Sequence, residues 1–248
     1  FISNGSTIGS IKGVRYEAKI SSSDTPTRAG YTLTGWYKDP SFTTTSEWDF
    51  DNDQVIEDFD LFAKWSANDN TIYTVEHWQQ NINDDGYTLK ETESLSGTTD
   101  TTATATENDY TGFKAPTSLP TGNIAGDGSL ALKVYYDRET YSVTFDSKGG
   151  SAIASIDGIR YEAKIEAPQE PVRTGYTFAD WYKDDLFEYE WEFEDDIVTT
   201  DTIIFAKWAP KSGISYTVKH YKQNKEGNGY FLEDEETLYG TTEEKVTA

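Results

Sequence analysis

The sequence predicts a mainly β protein built from several small modules with little helix, and three observations lead to this prediction. A long stretch, Gly30–Trp65, returns in a recognisable form as Gly175–Trp208. Aromatic residues make up 15% of the chain, and with abundant Thr, Val, Ile and Gly they form the mix expected of strands and tight turns. No ten-residue segment of the repeated stretch has apolar residues at helical spacing, so little helix is expected.

The duplication extends beyond this stretch on both sides. The segment Arg15–Ile20, RYEAKI, is repeated letter for letter at Arg160–Ile165, and YTVEHW at Tyr73–Trp78 is answered by YTVKHY at Tyr216–Tyr221. The period is roughly 145 residues, far longer than the repeat of a solenoid, so each period should hold two small domains. We name these predicted domains modules A and B.

Four modules follow along the chain. Module A1 covers residues 1–65, module B1 residues 71–138 and module A2 residues 141–208, while module B2, residues 214–248, stops near the middle of its pattern. Phe1 corresponds to Phe145, which lies midway along a predicted strand. We therefore expect the chain to be a fragment whose targeting and anchoring segments lie outside it.

Module A is predicted to consist of three strands and a loop. Alternation of apolar and polar residues over Val14–Ile20 indicates a half-buried strand. After a turn, Tyr31–Lys38 is the second predicted strand, Asp39–Glu47 a surface loop and Leu61–Trp65 the closing strand. The second copy is shorter in the loop between its tryptophans, as expected where length changes fall in exposed connections.

Module B is predicted to begin with a hairpin. The alternation over Tyr73–Trp78 indicates a strand, and the dipeptide Asp85-Gly86 is a strong signal for the turn that follows it. The Thr-rich segment Thr98–Thr106 is interpreted as an edge strand rather than as low complexity, because Thr is β-branched. Gly112–Gly128 should be rich in loops, and Leu130–Tyr136 is the last predicted strand.

Composition excludes several classes of function. The net charge of −23 repels phosphate backbones and anionic membranes, so we expect neither nucleic-acid binding nor membrane insertion. The chain contains no Cys, which removes disulfides, Cys-ligated zinc and thiol catalysis. No apolar run approaches the length of a membrane span, and no signal peptide opens the chain.

No catalytic, metal-binding or cofactor-binding residues are predicted. The two histidines, His77 and His220, occupy the same position in the two B modules and lack convergent partners, so each is interpreted as structural or solvent-facing. The acidic segment Asp49–Asp60 has carboxylates at the spacing of a calcium loop. Gln54 stands where such a loop needs glycine for its sharp turn, which favours a solvated polar turn.

The tryptophans of module A are predicted to form its core. Three tryptophans of the first copy reappear in the second, and a unit of about 65 residues needs large side chains to build a core. The pairs are Trp36 and Trp181, Trp48 and Trp191, and Trp65 and Trp208. Trp78 differs, because its counterpart is Tyr221 and it lies on the strand face that carries Glu76. Trp78 and Tyr221 are therefore the predicted residues for contact with a partner.

The A modules resemble the Listeria–Bacteroides repeat, also called the internalin B-repeat. The matching motifs are PTRAGYTLTGWYKD at Pro26–Asp39, LFAKW at Leu61–Trp65 and FDSKGG at Phe145–Gly150. The B modules, from YTVEHW to LKVYYD, resemble mucin-binding-protein-like (MucBP-like) repeats. These resemblances imply β-grasp-like modules strung along large surface proteins of mainly Gram-positive bacteria. Asp180 departs from Gly35 of the first copy; where a special backbone angle is needed, Asp is among the tolerated replacements.

The sequence therefore predicts a repetitive extracellular segment of a bacterial cell-surface protein or adhesin. Its modules should follow one another as an elongated rod and act as a stalk or spacer. The alternative is a module that binds carbohydrate or a host protein, and an enzyme is not expected. The partners considered are a host glycan and a host or bacterial surface protein, together with chain–chain pairing at the C-terminal hairpin, while attachment to the cell wall would use regions outside this chain.

Overall fold

The computed structural model describes residues 1–21 and 25–247 and confirms a mainly β chain. Its one short helical segment in those residues is a 3₁₀-helix at Thr44–Ser46. The chain divides into two compact units. The first consists of residues 1–81, 85–110 and 114–137, and the second of residues 82–84, 111–113 and 138–248.

Module A1 contains one four-stranded sheet. Its strands are β1 (Ile2–Ser3), β2 (Ser6–Thr7), β3 (Tyr31–Tyr37) and β4 (Phe62–Ala67). The strand order is β2-β1-β4-β3, in which β1 and β4 run parallel at the centre and both outer strands are antiparallel to their neighbours. A mixed sheet of this order is β-grasp-like, as the family resemblance implied.

The core of A1 lies against this sheet and is dominated by tryptophan. Trp36 on β3 and Trp48 in the following loop are both buried together with Leu61 and Ala63. The ring of Phe1 meets Trp36 edge to face at a centroid distance of 5.0 Å, a favourable arrangement for two aromatic quadrupoles. The predicted role of the tryptophans in the core is confirmed.

Module B1 combines a long hairpin with a second, smaller sheet. Its strands are β5 (Thr71–Gln80), β6 (Tyr87–Gly97), β7 (Thr102–Thr104), β8 (Thr121–Asn123) and β9 (Ala131–Tyr136). The order β6-β5-β9 forms one sheet with β5 and β9 parallel, and β7 pairs with β8 in the other. The predicted turn at Asp85-Gly86 joins β5 to β6. The predicted Thr-rich strand is confirmed only over β7.

Module A2 repeats the sheet of A1 with longer central strands. Its strands are β10 (Thr140–Asp146), β11 (Ile156–Arg160), β12 (Tyr176–Tyr182) and β13 (Thr202–Pro210). The order is β11-β10-β13-β12, again with the two central strands parallel. Trp181 and Trp191 are buried in its core beside Val143, Val198 and Ile204.

The predicted strand at Val14–Ile20 is wrong. Tyr16 is 72% exposed, and Glu17 has a φ of 59°, a left-handed conformation that interrupts an extended run. Only an isolated bridge from Ala18 to Val55 remains. Val14, Ala18 and Ile20 are partly buried although the chain turns here, and the spacing of apolar residues in the sequence alone cannot distinguish such a turn from a strand.

Module B2 is a two-stranded hairpin of β14 (Ile214–Gln223) and β15 (Tyr230–Gly240). Most of its residues are exposed. Its base contacts A2, where the amide of Thr242 donates to the carbonyl of Lys211 at 3.0 Å and the amide of Lys211 donates to the carbonyl of Gly175 at 2.9 Å. The hairpin therefore contacts A2 at its base.

A special backbone angle at Gly35 does not account for the difference between Gly35 and Asp180. The pairing register of β3 with β4 shifts between Leu33 and Gly35, and that of β12 with β13 shifts at the equivalent place. Gly35 does not have a positive φ, and a Cβ built there would lie 3.0 Å from a carboxylate oxygen of Glu47. In A2 the residue facing this position is Glu190, whose pKa is raised by a hydrogen bond with Asp180 and by the charge of that carboxylate.

We predict that Glu190→Gln raises the melting temperature of A2 at pH 7. The raised pKa of Glu190 means that its charged form is disfavoured in the folded state, so stability is lost as pH rises through that pKa. The gain should disappear below about pH 4, where the carboxyl group is protonated in both states. Thermal unfolding of the full chain at both pH values measures it. Glu47→Gln, which faces Gly35, is the matched control, and an equal gain there would contradict the explanation.

Candidate functional site

The acidic turn that follows Trp48 is closed by hydrogen bonds and by a lysine. The carboxylate of Asp49 accepts from the amide of Asp51 at 2.8 Å and from the side chain of Asn52 at 2.8 Å. Lys19, from the repeated RYEAKI segment, donates from its ammonium group to the carbonyl oxygen of Asp51. In A2, Lys164 donates to the carbonyl of Glu194 in the same way. The repeated lysine therefore places a positive charge at each acidic turn.

The Asp49 carboxylate is engaged by donors of its own turn. Hydrogen bonds from Asn52 and then from the amide of Asp51 hold the pKa of Asp49 below its ordinary value. Its carboxylate oxygens point at the protein's own donors rather than converging with other carboxylates. Across residues 1–21 and 25–247, no three side chains of the His, Asp or Glu type are grouped so that they could hold a metal ion.

His77 lies at the centre of a buried polar cluster in B1. Its side chain is fully buried, and Nδ1 lies 2.9 Å from the hydroxyl of Tyr136 on the neighbouring strand β9. The same hydroxyl accepts a hydrogen bond from the amide of Asn108 at 2.9 Å. Nε2 of His77 faces Glu93 at 3.7 Å. A buried polar group that is satisfied in this way fixes the packing around it.

The outer part of the cluster consists of carboxylates that are held by hydrogen bonds. The side-chain amide of Asn108 donates to Glu91 at 3.0 Å and to Glu93 at 3.1 Å, and the Tyr110 hydroxyl donates to Glu91. The bonds from Tyr110 and then Asn108 lower the pKa of Glu91. Burial, followed by the bond to Glu91, raises the pKa of Tyr110 to about 12. The cluster thus keeps Tyr110 neutral and contains no activated nucleophile, which indicates a structural role.

The second histidine, His220, has a different environment despite its equivalent place in the sequence. It is exposed, and its Nε2 lies 3.0 Å from Glu236 on β15. Neither β9 nor Tyr136 has a counterpart in the described part of B2. The two histidines thus match the two roles considered for them, the first structural and the second solvent-facing.

Trp78 lies on the outer face of the B1 sheet, opposite to His77. Its indole N–H donates to Glu76 at 3.0 Å, and the ammonium group of Lys133 lies 5.2 Å from its ring centroid. Tyr135 on β9 is 48% exposed beside it, and the ring of Tyr87 meets Tyr135 edge to face at 4.9 Å. We call Trp78, Tyr87 and Tyr135 the outer aromatic surface of B1.

The hairpin of B2 has exposed apolar residues at positions equivalent to part of the outer aromatic surface of B1. Tyr221, Tyr230 and Leu232 are 58%, 70% and 46% exposed. The register places Tyr221 opposite Leu232, as Trp78 lies opposite Leu89 in B1. The two residues predicted for partner contact therefore lie in equivalent positions, one half-buried and one exposed.

The most complete repeated arrangement lies at the joint between module A and the B module that follows it. The carbonyl of Gly30 accepts hydrogen bonds from the amide of Asn68 at 2.8 Å and from the hydroxyl of Thr99 at 2.9 Å. The amide of Thr99 donates to the carbonyl of Asn68 at 2.9 Å. The Tyr31 hydroxyl donates to the carboxylate of Asp100. A1 is thus fixed to the corner where β6 leads into β7.

The joint between A2 and B2 is built from the equivalent residues. The carbonyl of Gly175 accepts from the amide of Lys211 at 2.9 Å and from the hydroxyl of Thr242. The Tyr176 hydroxyl donates to Glu243, and this bond is the first cause of the raised pKa of Tyr176. Two separate places in the chain have therefore folded into the same joint.

Sequence reasoning did not identify this joint, although its residues are visible in the sequence. Both A modules contain an Arg-x-Gly-Tyr turn, at Arg28–Tyr31 and Arg173–Tyr176. Both B modules contain a Gly-Thr-Thr-acid corner, at Gly97–Asp100 and Gly240–Glu243. The signal that could have found the joint was the occurrence of both short motifs in both periods, but nothing in the sequence states that they touch.

Comparison with known proteins agrees with the internal duplication. A family model described as the Listeria-Bacteroides repeat domain matches residues 1–64 and 141–207. These two matches cover more than half of the chain and coincide with the two β-grasp-like sheets. The segments between and after them, which contain the B modules, are outside the matched residues.

Two similar proteins come from Evansella cellulosilytica. One, provisionally named a Gly-rich membrane protein, is 32% identical over 217 residues, which is 84% of this chain and 24% of that protein. The other, provisionally named a membrane protein, is 26% identical over 239 residues, covering 93% of this chain and 33% of its own length. This chain thus spans a quarter to a third of these relatives. Within the residues described by the structure, no helix has the length and apolar character needed to cross a membrane.

We predict that His77→Ala and His220→Ala differ sharply in their effect on stability. Replacing His77 removes the buried hydrogen bond between its Nδ1 and the Tyr136 hydroxyl and opens a cavity, which should lower the free energy of unfolding of B1 by about 2–4 kcal/mol. Replacing the exposed His220 should change the stability by less than about 0.5 kcal/mol. Urea unfolding of the full chain, followed by amide exchange in β5 and β14, measures both. Equal losses would contradict the structural role of His77.

Proposed function

The chain belongs to the Listeria–Bacteroides repeat domain family, and from this membership we propose that it is a repetitive segment of a bacterial cell-surface protein that acts as a spacer. The repeat domain is non-enzymatic, and the polar cluster around His77 is closed by its own hydrogen bonds. In this proposal the chain is extracellular and is attached to the cell through regions outside it. Its modules are A1, B1, A2 and the partial B2, with the boundaries predicted from the sequence.

The observation that carries this proposal is the repeated joint. A spacer needs modules that keep a defined direction, because free hinges would shorten the distance that the chain spans. At each joint the glycine carbonyl accepts hydrogen bonds from a main-chain amide and from a threonine hydroxyl. These bonds restrict the rotation of the two modules about their connecting segment. Arg, Gly, Tyr and Thr recur at both joints together with an acid, which is Asp100 at the first and Glu243 at the second, as expected if the joint is part of the repeating design.

The B modules have a separate place in the proposal. We propose that they are MucBP-like repeats that alternate with the A modules, on the basis of their hairpin motif and their closing strand. Polar connections and the net charge of −23 oppose folding of one module back onto another. The proposed arrangement is therefore an elongated rod, which is how a spacer would hold other domains away from the cell.

A second candidate function is adhesion to a host glycan or surface protein. The observation that favours it is the outer aromatic surface of B1, where Tyr135 is 48% exposed beside Trp78. Aromatic rings of this kind offer apolar faces with polar edges, which suit contact with sugars and with protein surfaces. Tyr221 would extend such contacts to B2. A third proposed contact is chain–chain pairing along the uncovered strand β14, since unpaired strand edges favour pairing.

The spacer function predicts an extended particle in solution. Modules of about 70 residues have diameters near 28 Å, so four in line would give an overall radius of gyration of about 30 Å. A single compact domain of this length would give about 18 Å. Small-angle scattering of the monomer, repeated at low and high salt, measures the radius. A value near 18 Å would overturn the spacer function.

The adhesive function predicts retention on a glycan array or on immobilised host proteins. Binding should fall at least about tenfold for Trp78→Ala, because loss of an aromatic anchor at the centre of a contact typically costs more than about 1.4 kcal/mol. Tyr16→Ala, which removes an exposed aromatic residue of A1, is the matched control. If the chain binds none of the probes, or if both variants weaken binding equally, the outer aromatic surface is not the adhesive site.

A further inference from the structure

We propose that the Arg-x-Gly-Tyr turn of each A module is a recognition site whose ligand is the Gly-Thr-Thr-acid corner of the following B module. This inference rests on the proposed spacer function and adds a rule to it, because the turn would select which type of module can follow an A module. The partner is defined by its chemistry: a tight corner that presents a threonine hydroxyl, the threonine amide and a carboxylate.

The residues of the turn are not needed for the core of their own module. The buried cluster of A1 and the apolar side chains packed against it include neither Arg28 nor Tyr31. The same holds for Arg173 and Tyr176 in A2. Their side chains are half-buried and are used at the joint instead. The arginine and tyrosine side chains of the motif, which lie outside the core clusters, are therefore explained by contact with the next module.

Glycine is required in the turn for two reasons. Gly30 and Gly175 have φ values of 75° and 83°, in the left-handed region that favours glycine. A Cβ at Gly30 would also lie 2.3 Å from the Cα of Gly126 and 2.6 Å from the Thr99 hydroxyl. A Cβ at Gly175 would lie 3.0 Å from the hydroxyl of Thr242. The turn thus leaves room for the corner only where it has no side chain.

The threonine of the corner is bound through both its hydroxyl and its main-chain amide. At the first joint the hydroxyl of Thr99 donates to Gly30, while its amide donates to the connecting segment at Asn68. The Thr99 hydroxyl also lies 2.7 Å from that of Thr71, and Thr99 is buried. Valine would fill the same volume without the hydroxyl, so the interaction discriminates by hydrogen bonding rather than by shape.

The acid of the corner is bound by the tyrosine of the turn, and an arginine stacks on the ring of that tyrosine. The guanidinium of Arg28 lies 3.5 Å from the ring centroid of Tyr31, whose hydroxyl donates to Asp100. At the second joint Arg173 lies 3.8 Å from the ring of Tyr176, which donates to Glu243. A cation over the ring face and a carboxylate at the hydroxyl are each favourable for a tyrosine. Aspartate and glutamate both fit, so the turn recognises a carboxylate rather than one side-chain length.

The other positions at the joints differ and contribute through the main chain. Asn68 in the first connecting segment is replaced by Lys211 in the second, yet both donate an amide to the glycine carbonyl and accept from the threonine amide. Their side chains therefore do not define the contact. The determinants common to both joints are Arg, Gly and Tyr from module A, and Thr and an acid from module B.

The test uses the full chain and removes one hydroxyl from the joint. Thr99→Val should reduce the exchange protection of the Asn68 and Thr99 amides by about tenfold, the effect of losing one hydrogen bond. Protection within the sheets of A1 and B1 should remain as in the wild type. Thr98→Val, which changes the preceding residue of the same corner, is the matched control, and Asp100→Glu should keep the joint because glutamate serves at the second one.

A distance measurement gives a second readout that loss of stability alone would not change in this way. Because the natural chain contains no Cys, spin labels can be placed only where Thr45→Cys and Ser118→Cys introduce it, on exposed positions of A1 and B1. The distribution of distances between the labels should be narrow in the otherwise unchanged chain and clearly broader in Thr99→Val.

Two results would overturn the proposal. One is that Thr99→Val leaves both the amide protection and the distance distribution unchanged. The other is that protection falls throughout both sheets, which would make the hydroxyl a general stability element of B1. Neither result depends on the scattering measurement. A compact radius of gyration together with the expected effects of Thr99→Val would remove the spacer function alone. A large radius together with either of the two results above would remove this inference alone.

Discussion

The structure depends on the burial of two tryptophans over a small mixed sheet. Each A module has about 65 residues and no α-helix in its described part to cover the sheet, so aliphatic side chains alone would leave its apolar face incompletely buried. Trp36 and Trp48 in A1, and Trp181 and Trp191 in A2, supply the missing volume. The loop that carries the second tryptophan of each pair is held to β3 or β12 by a main-chain hydrogen bond from that tryptophan. The buried tryptophans thereby hold in place the long loops that follow β3 and β12.

Because the tryptophans form the core, other positions of each A module can carry polar groups. These polar groups form hydrogen bonds in the turns and in the joints to the B modules. Lys19 and Lys164 close the acidic turns, and Gly30 and Gly175 accept the next module. None of these groups converges on an opening that would hold a substrate. These polar groups of the A modules therefore serve their own turns and the joints to the B modules.

The two B modules show how strongly the environment depends on a covering layer. Their hairpins have matching registers with the same irregularity, after His77 in one and after His220 in the other. In B1 the strand β9 and the loops that flank it bury His77 against Tyr136. In B2 the described residues hold the hairpin and its base, so His220 faces solvent with Glu236. Within the described residues, the equivalent strand positions are therefore covered in B1 and exposed in B2.

Much of the fold was determined by the sequence itself. The duplication, the strands β3, β4, β5 and β9, the turn at Asp85-Gly86 and the tryptophan core follow from local patterns, because alternation and turn chemistry act over a few residues. The turn at Glu17 was mistaken for a strand, since apolar residues at every second position do not report the backbone angle. The contact of Gly30 with Thr99 was invisible for a different reason. The two residues lie 69 positions apart, and only tertiary structure, through the close approach of one module's turn to the next module's corner, decides which carbonyl a hydroxyl will meet.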